Sequence, residues 1–202
     1  MAESPLNVLA IVGSLKKNSV TRVVVQYAAA ELTARGCQVD VLDLLHDPLP
    51  LYNPELAYSS TGFPALQARV NRADVYVLGT PDYHGSISSA MKNFLDHFWH
   101  EFAGKLFATI VASHEKGLTV TDQLRTVARQ CYAWSLPYGL SCIDREDVKD
   151  GEVVSPALQQ RLEMFVRDVD VYGRLLARQR RADLASTDPG LMARHRKVKV
   201  AA

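Results

Sequence analysis

Short apolar runs alternate along this chain with segments of helical period, and that alternation constrains the fold more than any other feature. Residues 7–13 (N-V-L-A-I-V-G) are apolar throughout and closed by glycine, as a strand buried on both faces should be. Residues 20–35 follow with Val20, Val23, Val24, Tyr27, Ala28 and Leu32 at helical spacing, and Gly36 stands where a helix stop is expected. Further strands are expected at 38–42, at 73–79 (A-D-V-Y-V-L-G), at 105–112 (K-L-F-A-T-I-V-A) and, less regularly, within 133–143. Helices are expected at 63–72, 88–100 and 119–131, with a long amphipathic closing helix over 156–178. Five β–α alternations with apolar strands predict an α/β fold of three layers, a doubly wound five-stranded parallel sheet covered on both faces. The Pro-rich stretch 46–62 interrupts this rhythm, and loops of that length are usually functional or interface-forming.

The bulk numbers narrow the function classes. A chain of 202 residues favours one domain with a substantial core. A net charge of +1 excludes the strong basic excess of a nucleic-acid binder and disfavours an acidic electron carrier that docks by its field. Cys37, Cys131 and Cys142 are scattered and odd in number, with no C-x-x-C pair, which reads as a reducing compartment without disulfides, structural zinc or a cluster. The start M-A-E-S-P leads directly into a strand and no window is apolar enough for a membrane span, so a cytoplasmic location is expected.

In an open parallel sheet, ligands sit outside the carboxyl ends of the strands, which directs attention to the loops after the first, third and fourth strands. The first reads G-S-L-K-K-N-S and enters a helix at V-T-R. Free N–H groups and the helix dipole favour an anion there, with hydroxyls at Ser14, Ser19 and Thr21, an amide at Asn18, and positive charge at Lys16 and Arg22. It is neither G-x-G-x-x-G nor a P-loop, so it suits a phosphate monoester better than a dinucleotide or a triphosphate; equally, Ser19 serves simply as an N-cap. The third-strand loop reads T-P-D-Y-H-G-S-I-S. Pro81 stiffens the exit, Gly85 permits close backbone approach, and Tyr83 offers a flat face to a planar heterocycle; the plainer reading is a turn with an N-cap at Ser86 or Ser88.

Together, G-S-L-K-K-N-S-V-T-R and T-P-D-Y-H-G-S-I-S-S-A-M-K-N-F-L-D, about one βαβαβ half apart, resemble the NADPH-dependent FMN reductase family of the flavodoxin-like fold. That family shows G-S-x-R-x-x-S after strand one and P-x-Y-N/H-G-S followed by K-N-x-x-D after strand three. The resemblance implies an FMN phosphate cradle at Ser14, Lys16, Ser19, Val20 and Thr21. It places the isoalloxazine edge along Pro81, Asp82, Tyr83, His84, Gly85 and Ser86, with backbone N–H groups facing its polar atoms. The fourth-strand loop, with Ser113, His114, Glu115, Lys116 and Gly117, would close the other side. Lys16 stands where Arg is common, which keeps the charge but loses bidentate geometry. Chemistry would reside in the flavin, with hydride passing from NADPH or NADH to FMN and onward to free flavin, a quinone, an azo compound or an oxidised metal species, and no catalytic side chain is named. A homodimer or homotetramer is implied. The resemblance covers residues 7–180, so 1–180 is expected as a single FMN-binding domain and 181–202 as a basic tail, flexible or reaching a neighbouring subunit.

Other signals point elsewhere. Lys16, Lys17 or Arg22 could meet the 2′-phosphate of NADPH. His97 and His100 are three apart, a helical metal-ligand spacing, but lack a third ligand, and metal binding is not expected. Phe94, Phe98, Trp99 and Phe102 instead suggest an aromatic face at a subunit interface. A flavodoxin-like carrier, an FMN-binding regulatory module without turnover, and a nucleotide-binding protein without flavin stand as the alternatives.

Overall fold

The structure, a computed structural model, describes residues 4–114, 117–144 and 146–196. Five parallel strand positions form its centre. β1 (Asn7–Val12) pairs on one side with β2 (Gln38–Asp43) and on the other with β3 (Val75–Tyr83), and β3 pairs in turn with β5 (Leu106–Ala112). The fifth position is shared by two short strands, β6 (Trp134–Ser135) and β7 (Leu140–Cys142), each parallel to β5. The order reverses beside β1, so β1 and β3 diverge to opposite neighbours and leave a crevice above their carboxyl ends.

Helices cover both faces. α1 (Val20–Ala34) and α5 (Pro156–Ala185) pack on one side, where Val24, Val25, Ala28 and Leu32 meet Leu162, Phe165 and Val169. α2 (Phe63–Arg72), α3 (Ser89–Asp96) and α4 (Leu118–Gln130) pack on the other, around Tyr76, Phe94, Phe102 and Phe107. Each fully buried Leu, Val or Phe contributes roughly 1.5–3 kcal/mol, so the two layers fix the strand ends on which the loops ride.

Several expectations are corrected. β3 runs past Gly79 to Tyr83, because residues 82 and 83 fold back on β4 (Ser86–Ile87) as a hairpin. α3 ends at Asp96, and His100–Phe102 form a separate 3-10 turn, so His97 and His100 do not share a helical face. Phe94, Phe98 and Phe102 lie in the protein's own core and only Trp99 is exposed, which removes most of the expected aromatic interface. A second hairpin, β8 (Val148–Lys149) with β9 (Glu152–Val153), precedes α5.

α5 continues seven residues beyond its expected end, and the boundary drawn at residue 180 falls inside it. Arg180 Nε donates to the carbonyl of Ala103 (2.9 Å), and Met192 is buried against Gly104. Arg194 lies over the ring of Tyr132. Residues 186–196 therefore fold back on Gly104, Tyr132 and the end of α5, and positions 197–202 lie outside the described residues.

Candidate active site

Three loops at the carboxyl ends of β1, β3 and β5 converge on one cleft. Its narrow end, about 140 Å³, is lined by Ser14, Lys16, Ser19, Val20 and Thr21 from the first loop and the start of α1. Facing them are Pro81, Asp82 and Tyr83 from β3, and Ser113 and His114 after β5. A wider mouth of about 780 Å³ shares Asp82, Ser113 and His114 and extends past His84 and Gly85 to Gly117, Leu118 and Thr119. The site residues expected from sequence thus gather in one place, apart from Ser86, whose hydroxyl turns to Gln123 instead. Glu115 and Lys116 lie outside the described residues.

The narrow end collects hydroxyls and free N–H groups. Ser14, Ser19 and Thr21 are nearly fully buried, and Ser19 caps α1 by accepting from the N–H of Arg22. The first N–H groups of a helix have no intrahelical acceptor and face the loop. Among the described residues Thr21 Oγ1 is buried without a hydrogen-bond partner. A buried hydroxyl left unmatched costs about 1–3 kcal/mol, so its position in this cradle fits an oxygen-rich ligand such as a phosphate. Lys16 is exposed at the lip and supplies positive charge.

Arg22, expected to lend charge to the anion or to a 2′-phosphate, does something else. Its Nε and Nη2 clasp the carboxylate of Asp43 at 2.5 and 3.1 Å. Nη1 donates to the carbonyls of Lys16 and Lys17, both at 2.7 Å, and Nη2 also donates to that of Ser14 at 3.2 Å. Partial burial works to raise the Asp43 carboxyl, but the bonds from Arg22 and from the Leu45 N–H outweigh it and hold the group below the usual carboxylate range.

The third-strand loop is a two-residue hairpin. His84 and Gly85 both have positive φ (58° and 73°), the geometry of a type I′ turn. The Gly85 N–H donates to Asp82 Oδ1 at 2.8 Å, while Asp82 Oδ2 accepts from Ser113 Oγ at 3.0 Å, tying the hairpin to the loop after β5. From α4, Gln123 accepts from Ser86 Oγ and the Ile87 N–H and donates to the Gly85 carbonyl. The Gly85 N–H is therefore already committed, which removes one of the backbone donors expected along Pro81–Ser86, and the Ile87 N–H beyond it is committed too. Tyr83 remains half exposed beside the cleft.

Ser88 locks the two loops together: its hydroxyl donates to the Gly13 carbonyl at 2.6 Å and accepts from the Met91 N–H, capping α3. Gly79 is closely packed nearby, since a Cβ there would lie 2.2 Å from a methyl of Val25. Gln123 and Asp144, the latter lining the narrow end from the loop after β7, escaped sequence reasoning. Neither belongs to a local motif; their roles arise only when α4 and β7 pack beside the cleft.

A doubly wound parallel sheet with a hydroxyl-lined cleft at its switch point defines the flavodoxin-like class. The family model described as NADPH-dependent FMN reductase matches residues 6–146, and the chain belongs to that family. It is thereby an FMN-dependent NAD(P)H oxidoreductase. An FMN-dependent NADPH-azoreductase of Staphylococcus haemolyticus is 29% identical over 173 residues, covering 80% of this chain and 92% of the relative. Among solved structures, a flavoenzyme NAD(P)H:(acceptor) oxidoreductase from Paracoccus denitrificans superimposes with a TM-score of 0.67 at 20% identity, covering 86% of this chain and 98% of that one. An archaeal flavodoxin does so with a TM-score of 0.61 at 11% identity, covering 84% and 99%.

Proposed function

We propose that the chain holds FMN with its phosphate among Ser14, Ser19 and Thr21 and its ring system along Pro81–Tyr83 and the Ser113–His114 loop. On this reading it oxidises NADPH or NADH and reduces a small-molecule acceptor such as a quinone, free flavin or azo compound. FMN, when bound, supplies the capacity to take two electrons from a nicotinamide and release them to the acceptor. The chain's residues do the rest. Ser14, Ser19 and Thr21 offer hydroxyl donors to the phosphate, and Lys16 offsets its charge from the lip. Asp82 and Gln123 hold the hairpin so that Tyr83 and His84 flank the mouth through which donor and acceptor enter in turn.

The observation that carries the reading is Thr21 Oγ1, buried and unpartnered in the middle of the cradle. Three free, buried cysteines and a net charge of +1 support a cytoplasmic setting with no nucleic-acid partner. Among the described residues no helix is long and apolar enough to cross a membrane. Assembly as a homodimer or homotetramer is part of this reading, with the exposed Trp99 as the aromatic side chain left to an interface.

The test is to titrate the purified protein with FMN, then follow NADPH and NADH consumption at saturating FMN with a quinone, free flavin and an azo dye in turn. Tight FMN binding with turnover on at least one acceptor is expected. Binding without turnover would favour an electron carrier or regulatory module, and no binding would remove the functional reading.

A further inference from the structure

We infer that Arg22 is the positioning residue of the phosphate loop, acting from behind by holding the loop's carbonyl oxygens; the inference rests on the proposal that the cradle takes the FMN phosphate. A guanidinium has five N–H donors, and here all five are engaged: two on Asp43, two on the carbonyls of Lys16 and Lys17, and one on that of Ser14. Arg22 has no donor left for a ligand. In a trans peptide the carbonyl of one residue and the N–H of the next point in opposite directions. Fixing the carbonyls of Ser14, Lys16 and Lys17 on the guanidinium therefore turns the N–H groups of Leu15, Lys17 and Asn18 away from it. Among the described residues these three N–H groups have no acceptor. The unpartnered Thr21 hydroxyl lies in the cleft that this same loop lines.

The arrangement leaves three N–H donors of a lysine-rich loop turned to the side opposite the guanidinium, and it anchors the loop to the end of β2 through Asp43. It also separates two roles for a cation that sequence alone cannot tell apart. A residue that touched phosphate directly would tolerate lysine, because the charge is kept. A residue that organises three carbonyls and a carboxylate at once would not, because an ammonium has only three donors and no fixed fork.

The experiment compares the wild type with R22K by equilibrium titration with FMN and with riboflavin, and by the rate of tryptic cleavage at Lys16 and Lys17 in the flavin-free proteins, mapped by mass spectrometry. The wild type is expected to prefer FMN over riboflavin by at least about 100-fold. R22K is expected to lose at least about tenfold in FMN affinity and less than about twofold in riboflavin affinity. Cleavage within the loop should rise at least about tenfold, with the thermal melt confirming a folded variant. FMN affinity unchanged in R22K, or FMN and riboflavin affinity falling together, would overturn the inference. Unchanged tryptic resistance would overturn it without reference to any flavin. A wild type that binds neither flavin, with a loop that loosens in R22K, would overturn the FMN reading while leaving Arg22 as the organiser of the loop.

Discussion

At the scale of a single atom, the proposed phosphate site rests on Oγ1 of Thr21. Its hydroxyl is buried without a partner, a state that would be selected against if stability alone were at stake. Replacing it with the near-isosteric valine removes the unmatched oxygen and one donor to the anion together. T21V is expected to melt at the same temperature as the wild type or slightly higher, yet to bind FMN about tenfold more weakly, as the loss of one bond to a charged group requires. Equal FMN affinity in the two proteins would mean that the hydroxyl does not face the phosphate. Gly79 gives the opposite case. G79A puts a Cβ into Val25 and should cost about 1–3 kcal/mol, visible as a lower denaturant midpoint. Both residues were accessible to sequence reading in different degrees. Thr21 lies two residues after the N-cap Ser19, a local signal, whereas the crowding at Gly79 exists only once α1 crosses β3.

At the scale of elements, the hairpin beside the cleft depends on a partner outside it. Gln123 meets Ser86, Ile87 and Gly85 with one amide, so Q123L should loosen the turn without unfolding α4. The expected result is a several-fold drop in kcat/KM for NADPH with FMN-phosphate affinity nearly unchanged, measured by steady-state kinetics beside an FMN titration. Loss of both in proportion would show instead that the hairpin and the cradle form one unit. The strands β1, β3 and β5 were legible because burial on both faces writes itself as unbroken apolar runs. The hairpins were not, for a definite reason: they are two-residue turns within polar segments, which apolar period does not register. Asp150-Gly151, with φ of 51° and 83°, is the D-G signature of a type I′ turn, and His84-Gly85 is a weaker version of it. The end of α5 was missed because Arg178 to Arg181 break the apolar stripe while remaining good helix formers.

Across the whole molecule the two ends of the sheet are finished differently. The carboxyl ends carry the open cleft, while the amino ends are sealed around Lys105, which is almost completely buried just before β5. Its ammonium donates to the carbonyls of Val70 and Asn71 and to the Tyr76 hydroxyl, at 3.0 to 3.1 Å. Burial, helped by the nearby Arg180, pulls its pKa down to about 7. In the unfolded chain a lysine titrates near 10.4, so between these values the unfolded state binds more protons and this group makes stability rise with pH. Below about pH 7 the penalty is constant. Melting curves of the wild type and K105M should therefore diverge with pH. The wild type should gain on the variant by about 5 °C or more from pH 7 to pH 10, and parallel curves would show that Lys105 titrates normally.

The fifth strand position, broken into Trp134–Ser135 and Leu140–Cys142, has a consequence of its own. A sheet of parallel strands can in principle keep growing by accepting one more strand from another molecule, and each accepted strand presents a fresh border to the next. Here the border consists of one stretch of two residues and one of three, separated by a turn containing Pro137. No incoming segment can register along it for the five or six residues an ordinary strand needs. The interruption that makes this strand irregular in the sequence is thus a terminator, closing one side of the sheet to polymerisation in a crowded solution.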